Sequence, residues 1–278
     1  MDDQKRGEEL NQRSRFLFDA AANNWYIAQG IVVVVGLGSA VLSYVQAQGA
    51  AKYLLAVAAV GATLTAYFLT LRFSSQYDMA ETMRRQSVLT EGLGYPISST
   101  QFDVWKQRAG RRVEKRFRLE PRDPDYYTTK LAPGPTRLVE MLEESAFYTR
   151  HLYMRLRRLL LAILVPLLVT LLGILLVIPA LGQKSPLTLG LANAVLVIIP
   201  IAVAADLLGA TIRLSRLMAG IVDIESDVER LRKSPAIPET AAIRLVFEYN
   251  CLTASGYPIH SYLFRRWHSA VDRAWRER

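Results

Sequence analysis

The chain has 278 residues, of which 51% are apolar and 21% charged, with a net charge of +9 and a single cysteine, Cys251. One or two domains fit that length. One cysteine excludes an intrachain disulfide framework and a cysteine-built metal site, and the positive balance suits an anionic partner. No Walker A sequence, Gly-x-Ser-x-Gly elbow or His-Glu-x-x-His motif is present, and His151, His260 and His268 lack metal-ligand spacing. No catalytic residue, metal or cofactor is therefore expected.

Residues 1–25 are polar and mixed in charge, which predicts an uncleaved N-terminal helix. Ile27 to Ala47 and Tyr53 to Thr70 are nearly free of charge, and each is long enough for a helix to cross a hydrocarbon core of about 30 Å. They form a first transmembrane hairpin over 26–72, in which Gly36, Gly38 and Ser39 and then Ala58, Ala62 and Ala66 are spaced for close helix packing. Gln29 is a polar candidate for a pore or gate.

Residues 73–158 hold a stalk, an elbow and a basic segment. Thr63 to Glu91 contains neither Pro nor Gly, so the second span should leave the membrane as one helix. It runs until Gly92 and is followed by Gly94-Tyr95-Pro96-Ile97, a tetrapeptide that recurs as Gly256-Tyr257-Pro258-Ile259. Ser99, Phe102 and Trp105 match Ser261, Phe264 and Trp267 at the same offset, which points to a duplicated unit. In each copy Gly reads as a helix C-cap, and Ser98 to Gln101 reads as a capping box restarting a helix after the first. That restarted helix carries Lys106, Arg108, Arg111, Arg112, Lys115, Arg116 and Arg118, the candidate site for an anionic ligand. Trp105 and Phe117 lie close enough in sequence to stack on bases, so an oligonucleotide fits as ligand; a basic face against anionic lipid is the competing reading. Pro133-Gly134-Pro135 then breaks the chain, with Thr136 as the expected N-cap of the next helix.

Leu159 to Leu181 and Leu187 to Ile212 form a second hairpin over 159–212, with Asn193 and the carboxylate of Asp206 as further pore or gate candidates. Beyond it, residues 213–278 begin with Leu214, Leu217, Ile221, Ile224, Val228 and Leu231, alternately three and four residues apart. This is a coiled-coil seam, packing either within one subunit or between subunits of a symmetric assembly. The second elbow follows on a longer stalk and should dock at a different depth from the first. Lysines and arginines crowd the segments outside the two tight hairpin loops, which places both termini and the middle of the chain in the cytoplasm.

One stretch has a specific likeness. Tyr126-Tyr127 through Ala132-Pro133-Gly134-Pro135-Thr136-Arg137-Leu138, then Leu142-Glu143-Glu144-Ser145-Ala146-Phe147-Tyr148-Thr149-Arg150-His151-Leu152, resembles the region before the third span in SMODS-associated four-transmembrane, SLATT-allied pore-forming effectors of bacterial antiphage defence. The resemblance implies an inner-membrane effector controlled by a cyclic or linear oligonucleotide from a partner nucleotidyltransferase, which permeabilises the membrane and arrests growth.

The expected architecture is thus all-α and polytopic, with four transmembrane helices in two hairpins whose long helices extend into a helical cytoplasmic domain. The expected assembly is a homo-oligomer, most simply a tetramer, in contact with membrane lipids. A non-conducting scaffold and a transporter built from repeats are the alternatives.

Overall fold

A computed structural model describes residues 3–45, 50–120, 126–180, 195, 206–254 and 256–278, with the backbone alone at 39–45, 50–52 and 178–180. Seven helices are defined there: α1 (Asp3–Val45), α2 (Ala50–Leu93), α3 (Ser99–Leu119), α4 (Pro135–Ala180), α5 (Leu207–Arg232), α6 (Glu239–Ala254) and α7 (Ser261–Arg276). The described residues contain no strand. They divide into two units, one of Met1–Asn23, Phe73–Arg155 and Arg213–Arg278, the other of Asn24–Arg72 and Leu156–Ile212.

The second unit is apolar on its outside. Leu54, Val57, Val60, Leu64 and Phe68 of α2 are exposed, as are Leu168, Val169, Leu172 and Leu176 of α4. A soluble protein does not present an apolar surface of that extent to water; lipid solvates it. Thr63, Thr65 and Thr70 donate their hydroxyls to carbonyls four residues back, at 2.8, 2.8 and 2.9 Å, so they add no unmet polar group. Three helices, α1, α2 and α4, are long and apolar enough to cross a membrane, and the chain is a membrane protein. Most of the expected fourth span, with Asn193, lies outside the described residues. The close-packing alanines make little contact within the chain: Ala66 is buried but Ala58 is exposed, and a Cβ at Gly38 would meet nothing.

Two apolar clusters of the first unit each take in one elbow. Ile97, Phe102 and Trp105 join Leu10, Phe16 and Leu17 of α1 and Ala80 and Met83 of α2. Ile259, Phe264 and Trp267 pack with Phe147 and Leu152 of α4 and Val271 of α7. The glycines of the two copies nevertheless do different work. Gly94 has φ 77°, and its N–H bonds the Thr90 carbonyl at 2.9 Å, the expected left-handed cap. Gly256 has no left-handed φ; a Cβ there would strike the Tyr153 hydroxyl and lie 2.8 Å from the Thr253 carbonyl, so it is glycine for space.

Three local expectations are corrected. Ser98 stands at the N-cap of α3 but makes no side-chain capping bond. The matching cap of α7 is His260, whose ring accepts the Tyr262 N–H at 3.1 Å, so Ser261 is the first helical residue. Helix α4 starts at Pro135, where a missing N–H costs nothing, which puts Thr136 inside the first turn. The α5 seam is settled by burial: Leu214, Leu217, Ile221, Ile224 and Val228 are buried within one chain and Leu231 is half-buried. Ion pairs Arg150–Glu225 at 2.8 Å and Arg232–Glu143 at 2.6 Å fasten α5 to α4. The seam is therefore a packing surface within the chain.

Between α2, α4 and α6 lies a polar lock. Arg84 pairs with Glu81 at 2.9 Å and donates to Asn250 Oδ1 at 3.0 Å and Thr253 Oγ1 at 3.2 Å. Tyr249 shares a hydrogen bond with Thr149 at 2.7 Å and donates to the Ser145 carbonyl at 3.2 Å. Burial pulls the Arg84 guanidinium down, but Glu81 more than offsets it, and burial raises the phenols of Tyr77, Tyr127, Tyr153 and Tyr249. The arginine stays charged and the tyrosines neutral.

A second buried group is less well matched. Glu91 of α2 sits beneath Gly7 of α1, and burial pushes its carboxyl up to about 7. A 2.7 Å hydrogen bond from Ser87 and the charge of Arg137 on α4 pull the other way, while Glu8 on α1 pushes it further up. A carboxyl raised on folding favours the native state while protonated, so stability is lost as pH rises from about 4.5 to about 7. The shift sets an upper bound of about 3 kcal/mol. Thermal unfolding in detergent should show the wild type less stable at pH 8 than at pH 5, with Glu91→Gln largely removing the difference. An unchanged pH dependence in Glu91→Gln would contradict this.

Candidate functional site

Helix α3 buries one stripe: Phe102, Trp105, Ala109 and Val113 recur every three or four residues and face the first apolar cluster. Its remaining faces carry the cations. At Gly110 the helix is interrupted, with φ 83° and ψ 164°, a conformation that only glycine adopts readily. A Cβ there would meet no atom within 4 Å, so the position needs glycine for its backbone rather than for room.

The bend shapes the surface. In a straight helix Asp103 and Arg118 would be about 22 Å apart along the axis. Here both line two adjoining hollows of about 430 and 440 Å³. The first lies between α3 and the start of α1, with Arg6, Glu9 and Arg13 in its wall; the second adds Gly110 and Arg111. Both include Asp103, Lys106, Glu114 and Arg118.

The seven predicted ligand residues separate into two kinds. Arg116 is structural: it pairs with Asp19 at 2.7 Å and Glu120 at 2.5 Å and lies 4.3 Å over the Phe16 ring. Lys106, Arg108, Arg111, Arg112, Lys115 and Arg118 are exposed, and the described residues offer none of them an ion pair. Six unpaired cations along a short bent helix repel one another, and an anion relieves that repulsion.

The expected stacking platform is absent. Trp105 is buried in the apolar cluster, and Phe117 is covered by the guanidinium of Arg13 at 3.8 Å. Arg13 is itself 1% exposed and reaches Glu114 at 2.6 Å and Glu9 at 3.0 Å, clasping α1 to the distal arm of α3. The sequence reading missed this clasp. Its signal was Glu9 four residues before Arg13, together with Gly110 in the middle of a basic helix. What α3 offers a ligand is therefore a set of phosphate-type contacts, with Asp103 and Glu114 as nearby acceptors.

The other predicted residues are not gathered with α3. Gln29 is half-buried on α1 in the second unit, and its side-chain oxygen has no hydrogen-bond partner among the described residues. Asp206 immediately precedes α5 with φ 49°, its carbonyl accepts the Ala210 N–H at 2.8 Å, and its carboxylate packs against Gly209. That is the position of a helix-capping acid. No group of His, Cys, Asp and Glu among the described residues is arranged to hold a metal ion. Compared with known protein families, curated proteins and solved structures, the chain has no significant match.

If the bend requires glycine, Gly110→Ala should cost about 1–3 kcal/mol of stability. Gly38→Ala, with equal room for a Cβ but no left-handed φ, should cost nothing. Thermal midpoints of both variants in detergent decide this, and equal midpoints would show that the bend is not held by Gly110.

Proposed function

We propose that this chain is an oligomeric membrane pore of bacterial antiphage defence whose conductance is set by an oligonucleotide bound at α3. Three observations support the reading. The membrane-capable helices α1 and α4 also supply residues to the unit that carries the bent helix. Six exposed, unpaired cations stand on that helix beside two hollows within the size range of small-ligand sites. The segment from Tyr126 to Leu152 resembles the SMODS-associated, SLATT-allied effectors. Of these, the row of unpaired cations at the Gly110 bend carries the proposal.

The protein would sit in the bacterial inner membrane with two hairpins and both termini cytoplasmic, as a homo-oligomer, most simply a tetramer. Because the α5 seam is filled within each chain, subunits would meet through the apolar outer faces of the membrane helices. The ligand, a cyclic or linear product of a partner nucleotidyltransferase, would be held by its phosphates, since Trp105 and Phe117 are covered. Binding would shift α1 through the Arg13–Glu114 clasp, and the open pore would permeabilise the membrane and arrest growth.

Ion flux from liposomes containing the purified protein tests this. Flux should change when cyclic or linear oligonucleotides are added, and Arg111→Glu/Arg112→Glu/Lys115→Glu should abolish that response while leaving assembly intact. Arg116 is left alone because its replacement would break the fold. Absence of flux under every ligand condition would favour a non-conducting scaffold, and saturable uptake of one solute would favour a transporter.

A further inference from the structure

The two elbows meet α2 at different points along its length. The first follows the C-terminus of α2, where Gly134 N–H bonds the Gly92 carbonyl at 2.7 Å. The second meets α2 through Tyr77, whose hydroxyl donates to the Thr253 carbonyl at 3.4 Å. Those points are about 22 Å apart along the helix. Tyr77 lies just beyond the apolar stretch that ends at Thr70, and the other partners of the second elbow have similar places in sequence. Tyr153, against Gly256, stands just before the stretch beginning at Leu159. Arg213, which donates to the Tyr257 hydroxyl at 2.8 Å, directly follows the stretch ending at Ile212. The partners of the second elbow therefore stand within about 10 Å, measured along their own helices, of the ends of three apolar stretches.

Helix α7 leaves that level in a defined direction. His268 lies 5.6 Å from Tyr148, Asp272 bonds Tyr148 at 2.9 Å, Trp275 packs at a tilt on Phe147 at 5.2 Å, and Arg278 pairs with Glu143 at 3.2 Å. As α7 numbers rise α4 numbers fall, so α7 runs antiparallel to the first-unit part of α4. Its N-terminal turns carry Tyr262, 58% exposed, with Arg265 and Arg266 at the spacing of one helical turn. Neither arginine has an ion pair among the described residues. An exposed tyrosine beside free arginines at headgroup level is the composition of a membrane-interface contact.

We infer that the second elbow and the first turns of α7 form a binding surface for the phosphate headgroups of acidic phospholipids, made by Tyr262, Arg265 and Arg266 and steadied by the Arg213–Tyr257 bond. The inference rests on the apolar stretches lying in a membrane. It does not depend on the ligand of α3, which is a different surface. The surface fixes the depth of the second elbow, so that lipid charge acts on α4 and α5 directly.

The experiment compares the affinity of the full chain in mixed micelles for fluorescent phosphatidylglycerol and phosphatidylcholine. Arg265→Glu/Arg266→Glu should lose on the order of tenfold or more in preference for the acidic lipid, since each arginine near a charged surface contributes about a factor of five. Arg273→Glu, exposed on the same helix two turns further from the elbow, should keep the preference. An equal loss in Arg273→Glu would mean that general charge attracts the lipid, and would overturn the proposal. An unchanged preference in the double variant would overturn it as well, as would inorganic phosphate competing as well as the lipid. Thermal midpoints without lipid establish that each variant is folded, with Arg265→Gln/Arg266→Gln as the milder substitute.

Discussion

An arginine inside a protein needs an anion beside it and acceptors for its N–H groups, or it destabilises the fold it occupies. Arg84 has both. Glu81 neutralises it from the same helix, and Asn250 and Thr253 accept from across the gap to α6. Tyr249 then carries the hydrogen bonding on to Thr149 and Ser145 of α4. Helices α2, α4 and α6 are bound at one level by a network in which every member depends on the others, because any partner lost leaves a buried charge or hydroxyl unmet. The second elbow rests on this network through Tyr77 and Tyr153, and α7 follows from the elbow.

The same rule separates the arginines of the chain by role. Arg13 and Arg116 hold α3 to α1 with carboxylates on one side and aromatic rings on the other. Arg150 and Arg232 hold α5 to α4. With those contacts made by other residues, the cations on the outer faces of α3 and at the start of α7 have no ion pair among the described residues. A protein that leaves charge unpaired on two separate surfaces has that charge available for anions. The proposed oligonucleotide and the proposed lipid headgroup are two such anions.

Much of the architecture could be read directly. Apolar runs without a polar face marked the membrane helices, the unbroken stretch after Thr63 became one helix to Leu93, and the alternating spacing from Leu214 marked a buried seam. What periodicity cannot show is whose surface fills a seam, and here it is the chain's own. Nor could composition tell free arginines from paired ones, because the partners of Arg13 and Arg116 include Glu114 and Asp19, about a hundred residues away. The repeated tetrapeptide was legible as a repeat but not in its details. Gly94 serves a backbone angle and Gly256 a steric limit, and that distinction depends on Tyr153, which lies outside the motif. Gly110 was visible as a glycine in a basic helix, yet the hollows it creates need the geometry of both arms.

The division between arginines that hold the fold and arginines left free is the central claim, and it can be measured on two variants side by side. Thermal or denaturant unfolding in detergent and oligonucleotide binding would be recorded for Arg84→Gln and for Arg111→Gln/Arg112→Gln. The account predicts that Arg84→Gln loses about 3–5 kcal/mol of stability, as when one partner of a buried pair is removed. The α3 variant should stay within about 0.5 kcal/mol of wild type while losing its affinity for the oligonucleotide. An α3 variant that unfolds as readily as Arg84→Gln, or that binds as tightly as wild type, would contradict it.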